Sequence, residues 1–251
     1  MRYLKVLLFI ILISCGKEDE VICSSFTPEA SDQYIFPLRP GMPEWERFTS
    51  GQEKIDALQV PVGILKKMST YGLVETCLDY PLLGAMMAFD TIQYGVERQM
   101  ENFNGFHELI TRENAGQIML DRFKQMNPEC IPQGDEVVVG DYTLTFVYMG
   151  MVQAQFVLIE QLTSSERREL LDEAIKKNTQ FENIGDPYSI LNLKIEALLM
   201  ARVMVSEKYE PFLEEIAKNV SIEIFIKYVE LNNKIETLNK ILEYATEYNN
   251  H

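Results

Sequence analysis

Apolar residues from Ser50 onward recur mostly at helical spacing. "SGQEKIDALQV" predicts a short helix ending near Val60 and Pro61. In "STYGLVETCL", Ser69 is placed as an N-cap ahead of Leu73, Val74, Cys77 and Leu78, an i, i+1, i+4, i+5 stripe. Pro81 ends that element, and "LLGAMMAF" supplies a small-residue, methionine-rich packing surface. Further helices are expected over 91–103 and 106–111. "ENAGQIMLDRFKQM" then puts Ala115, Ile118, Met119, Arg122, Phe123 and Met126 on one face.

Pro128, Pro132, Gly134 and Gly140 interrupt this rhythm, which makes 128–140 the best place for a subdivision of the helical body. Val137 to Val139, the Gly140-Asp141 pair and the alternation Tyr142 to Phe146 fit a β-hairpin on local grounds. The apolar character continues to Leu162, too far for an ordinary strand, so a buried helix starting near Asp141 is the better expectation. Thr143, Thr145, Gln153 and Gln155 suit a helix surrounded by protein rather than lipid. "TSSE" at 163–166 is a capping box that opens a helix with Leu170, Leu171, Ala174 and Ile175 inward. A long helix is expected over 189–207, and a final pair over 211–218 and 220–248. In the last of these, Ile224, Tyr228, Leu231, Ile235, Leu238, Leu242 and Ala245 alternate spacings of four and three, a heptad seam. Such a seam suits packing against antiparallel neighbours in one chain, or pairing of two copies through the C-terminal helix.

The expected fold is therefore all-α: an irregular multi-helix bundle or short α-α superhelix with a long C-terminal helix and no substantial sheet. No internal period supports a true solenoid. Ahead of the helices, "YIFPLRPGMPEW" carries prolines at 37, 40 and 43, which forbid a regular helix or central strand. Tyr34, Phe36 and Trp45 in this segment are expected to pin it across the body; the alternative is an exposed aromatic interaction surface.

The first residues read differently. Arg2 and Lys5 precede an apolar run from Val6 to Ile13, the n- and h-regions of a signal peptide over 1–14. The run is well short of the ~20 residues that cross a bilayer. It ends in Leu12-Ile13-Ser14-Cys15, which resembles the lipobox of bacterial lipoproteins. That resemblance implies cleavage before Cys15 and acylation of its thiol and new amine. Two or more chains give stable attachment, at about 0.8 kcal/mol per buried methylene. Lys17, Glu18, Asp19 and Glu20 follow, and are similar to the export signal of surface lipoproteins of Bacteroidetes; the same residues also make a solvated tether over 15–32. Together with "FNGFHELITRENAG", the 34–45 segment resembles uncharacterised helical lipoproteins of gut Bacteroidetes, a likeness that implies no known activity. The helical domain proper is expected over 33–251.

With 23 basic and 38 acidic residues, the chain carries a net charge of −15. Such a balance repels phosphate backbones, so a nucleic-acid partner is not expected, and lipid rather than charge must hold the body at a membrane. If Cys15 is acylated, Cys23, Cys77 and Cys130 remain: at most one disulfide, with no framework spacing to call for it. Cys77 falls on the apolar face of its helix, where a buried thiol is ordinary.

Chemistry is hard to find. His107 and His251 are the two histidines, and no zinc, calcium-loop or phosphate-cradle spacing exists, so neither a metal nor another cofactor is expected. No nucleophile elbow accompanies His107. The expectation is a non-catalytic outer-membrane lipoprotein, surface-exposed rather than periplasmic, whose body binds an unknown protein or glycan. The alternative is a cell-envelope hydrolase acting on peptide or glycan through acidic residues that the sequence does not single out.

Overall fold

The computed structural model describes residues 32–132, 134–185, 189–231 and 234–250. Among them every regular element is helical. Helix α1, Gly51–Ala57, is opened by a capping box in which Ser50 and Glu53 satisfy each other's backbone N–H groups. Pro61 precedes the single turn α2, Val62–Leu65. Helix α3, Thr70–Leu78, starts at Ser69, whose Oγ accepts from the Gly72 N–H at 3.0 Å. Asp32 reinforces that start, its carboxylate accepting from the Ser69 N–H at 2.6 Å and Oγ–H at 2.8 Å. Asp32, expected in the tether, is thus bonded to the helical body.

A 3-10 segment, Leu83–Ala88, leads into α4, Ile92–Asn102, capped by Thr91. The two lie so close that a Cβ on Gly95 would sit 2.1 Å from the Met86 carbonyl oxygen. Backbone cannot yield as a side-chain tip can, so Gly95→Ala should destabilise the chain by about 2 kcal/mol, read as a lower urea midpoint. Helices α5, Asn104–Leu109, and α6, Ala115–Gln125, follow, the latter burying Ala115, Met119 and Phe123 as its stripe requires.

After a 3-10 turn at Pro128–Cys130, helix α7 runs Glu136–Gln153. It starts ahead of the expected Asp141 and ends short of Leu162, and the hairpin does not form. Asp135 accounts for the early start: its Oδ1 accepts from the Val137 N–H at 2.8 Å, and Val137 and Val138 stay exposed with no strand beside them. Among the described residues, Phe103 and Phe123 before 128–140 belong to one buried cluster with Phe146, Phe181 and Phe225 after it. One turn, α8, Phe156–Ile159, separates α7 from α9, Ser164–Ile184, whose capping box at Thr163 and Glu166 is the expected one.

Helix α10, Ser189–Ser206, packs antiparallel to α9, as the Arg167–Glu207 ion pair between the start of one and the end of the other requires. It ends in a Schellman motif: Lys208 takes φ +54°, and the Tyr209 N–H reaches the Met204 carbonyl at 3.0 Å. A left-handed L-residue costs about 1–2 kcal/mol, while glycine's extra chain entropy costs about 0.5–1 kcal/mol. Lys208→Gly should therefore raise stability by about 0.5–1 kcal/mol in a denaturant titration. Val229, also left-handed at φ +59° but only 1% exposed, should respond oppositely to glycine, because its apolar burial outweighs the strain.

That left-handed residue breaks the expected C-terminal helix. Helix α11 is Glu210–Lys218, and 220–248 becomes α12, Val220–Tyr228, and α13, Lys234–Asn249. The heptad seam is lost: Tyr228 and Ile235 are exposed, and the inward stripe is Ile222, Phe225 and Val229, then Leu238, Ile241 and Ala245. A continuous seam cannot cross a left-handed residue, so it is divided between two helices, with Leu238 and Ala245 still buried. Helix α13 lies against α9, α10 and α12 of its own chain, the packing within one chain that the spacing suited.

Candidate functional site

Where α7 stops, its last carbonyls need partners that the backbone no longer supplies. Gln155 takes extended backbone angles, and its Nε2 donates to the Met151 carbonyl at 2.8 Å. The Ala154 carbonyl accepts from Arg202 Nη1 at 3.0 Å. Arg202, on α10, also reaches the last turn of α12, where Ile226 O accepts from Nη2 at 2.8 Å and from Nε at 3.3 Å. A further bond runs from Nη2 to Gln93 Oε1 of α4 at 2.8 Å. One guanidinium therefore ties four helices together and faces the negative ends of two of them.

Its charge is poorly balanced. Arg202 is 3% exposed, and no carboxylate among the described residues bonds to it; the negative charge of Glu97 acts on it at longer range. Gln93 bonds to both groups, accepting from Arg202 while its Nε2 donates to Glu97 Oε1 at 2.7 Å and to Gln155 Oε1 at 3.0 Å. Burial pulls the guanidinium down to about 10, still charged at neutral pH. The Phe156 ring lies 5.3 Å from its Cζ.

Arg202, Gln93 and Gln155 line a surface cleft of about 560 Å³, against about 220 and 230 Å³ for two other cavities. Met100, Phe156 and Val157 give it apolar lining, and Glu97, Glu101 and Lys227 bring charges of both signs. Its size falls in the range of small-molecule sites, about 300–1,000 Å³.

A second polar cluster lies inside the α9–α10 pair. Lys177 is 1% exposed, donates to Glu173 Oε2 at 2.9 Å and holds its ammonium 4.6 Å from the Phe123 ring centroid. Glu196 is wholly buried, and neither carboxylate oxygen has a hydrogen-bond partner. Burial pushes its carboxyl up to about 8, against the opposing pull of Lys177, and burial likewise lowers Lys177.

Of the residues singled out in the sequence, Cys15, Lys17, Glu18, Asp19 and Glu20 lie outside the described residues. Phe36 and Trp45 are buried and Tyr34 half-buried. Phe36 packs between Tyr34 and Phe103, and Trp45 meets Phe48 edge-on. These rings pin the segment and do not make an exposed platform. His107 is exposed on α5. Cys77 is free and buried, whereas Cys130 is disulfide-bonded, a bridge that the spacing gave no reason to expect. Among the described residues no group of His, Cys, Asp and Glu is arranged to hold a metal ion, and no helix is long and apolar enough to cross a membrane.

Fold and site together define an irregular all-α body with a mixed-charge cleft over a buried arginine. No protein-family model, curated protein or solved structure matches this chain.

Proposed function

We propose that the protein is a lipid-anchored binding module of a bacterial cell envelope. Cys15 carries the lipid, the charged residues 17–20 direct the chain to the cell surface, and the helical body offers the Arg202 cleft to a ligand. The observation that carries the binding role is the cleft itself: a fixed, buried cation below a cavity with apolar and charged walls. Catalysis is the weaker reading. Glu97 and Glu101 stand on successive turns of α4, whereas glycoside hydrolysis needs two carboxyls facing each other across the substrate.

Native mass spectrometry of the detergent-solubilised full chain, incubated with a small-molecule extract of the envelope, tests the binding role. The expected result is a retained molecule of unchanged mass. Conversion of a peptide or glycan that is abolished by Glu97→Gln or Glu101→Gln would establish the hydrolase instead. The anchor is tested separately. Cys15→Ser should abolish palmitate labelling and release the protein from membranes. Non-reducing peptide mapping that joined Cys15 to Cys130 would overturn the anchor.

A further inference from the structure

Taking the cleft to be a binding site, as proposed above, we infer that its ligand is a small zwitterion with an apolar body, of the class of an apolar dipeptide. The argument begins with the valences that the protein leaves open. Arg202 spends four of its five N–H groups on three neutral oxygens, leaving one Nη1 hydrogen and a full charge with no anion bonded to it. A ligand carboxylate supplies both the acceptor and the charge, and Lys227 at the same cleft adds a second cation.

An anion alone is a poor match. Glu97 and Glu101 bring two negative charges to the cleft, which offset Arg202 and Lys227. A purely anionic or purely cationic ligand meets attraction and repulsion in similar measure. A molecule bearing both a carboxylate and an ammonium can satisfy both pairs at once. Gln93 occupies only Oε1 of Glu97, and Arg98 pairs with Oε2 of Glu101, so each carboxylate keeps an oxygen for a ligand ammonium.

The remaining lining fixes the body of the ligand. Met100, Phe156 and Val157 are apolar, and Val157 is 42% exposed, an apolar surface that a ligand can cover. Phe156 is held against the Arg202 guanidinium before anything binds. A volume near 560 Å³ exceeds the needs of one amino acid and suits two.

Isothermal titration of the full chain in detergent with leucyl-leucine tests this, beside N-acetyl-leucyl-leucine and leucyl-leucinamide, each lacking one of the two charges. Saturable binding of the free dipeptide is expected, with each cap weakening it about tenfold or more. Glu97→Gln combined with Glu101→Gln should weaken the free dipeptide and tighten the acetylated one, which loses its repulsion, and Lys227→Gln should likewise weaken the free form and tighten the amidated one. All three replacements are at exposed positions and leave Arg202 in place. No saturable heat at millimolar leucyl-leucine, or equal binding of capped and free forms, or a double variant that binds like the parent, would overturn the inference. Cys15→Ser should bind as the parent does, so loss of the anchor is read apart from loss of the site. An uncharged sugar retained in the mass-spectrometric assay would defeat this ligand class while leaving the binding module standing.

Discussion

Arg202→Met should destabilise the chain by about 3–5 kcal/mol, measured as a shift of the urea midpoint of the full chain. Two effects oppose each other. Removing a buried guanidinium recovers its desolvation cost, and replacing a buried ion pair with apolar residues is often neutral for that reason. Such neutrality requires that the partners go too. Here two of the three acceptors are backbone carbonyls, of Ala154 and Ile226, which no substitution removes, and the third is the Gln93 side chain. Each buried acceptor left without a donor costs about 1–3 kcal/mol, so the unsatisfied oxygens win. Arg202→Lys should fail nearly as badly, because a single ammonium cannot reach helices α4, α7 and α12 as the planar fork does. A methionine variant with the parent's midpoint would show that the guanidinium holds nothing together.

How far this was legible in the sequence varies by element. Helices α3 and α9 could be read to within a residue or two, because Ser69, Thr163 and Glu166 announce their starts and the apolar stripes follow at once. The division of 220–248 was not, since Val229 occupies a conformation that nothing about valine advertises; only its burial against the body selects it. The end of α7 was hidden for a related reason. The freed Ala154 carbonyl is satisfied by Arg202, 48 residues away, and local propensity carries no trace of that bond. The cleft was missed as a whole because its lining comes from four separated segments. One signal was present: in "IEALLMARVMV", Glu196 and Arg202 are the charged residues inside an otherwise apolar run, and a charge in a helix that is apolar all round must be buried against something. Both proved to be nearly or wholly buried, each at the centre of one of the two polar clusters.

Glu196 should make the chain lose stability as pH rises, by about 3 kcal/mol between pH 5 and pH 8. An unfolded chain releases the carboxyl proton near the ordinary value of 4.5, while the folded chain holds it up to about 8. Within that window the folded state binds more protons than the unfolded one, so stability is complete below the lower limit and falls through the window. Glu75, also raised by burial, adds to the same slope, though its pair with Arg122 opposes the rise. The carboxylates held below their usual range, Glu108, Glu166 and Glu207 among them, are ionised in both states above pH 5 and contribute little to it. Lys177, lowered by burial, acts on the alkaline side, where the unfolded chain keeps a proton that the folded one gives up. Glu196→Gln removes the titration but leaves a buried amide with its own unmet valences. Its stability should therefore start at or below the parent's at pH 5, cross it, and exceed it at pH 8. Denaturant midpoints of the two chains at pH 5, 6.5 and 8 decide the matter. Parallel lines would mean that Glu196 is ionised in the folded state, with Lys177 as its true counter-charge.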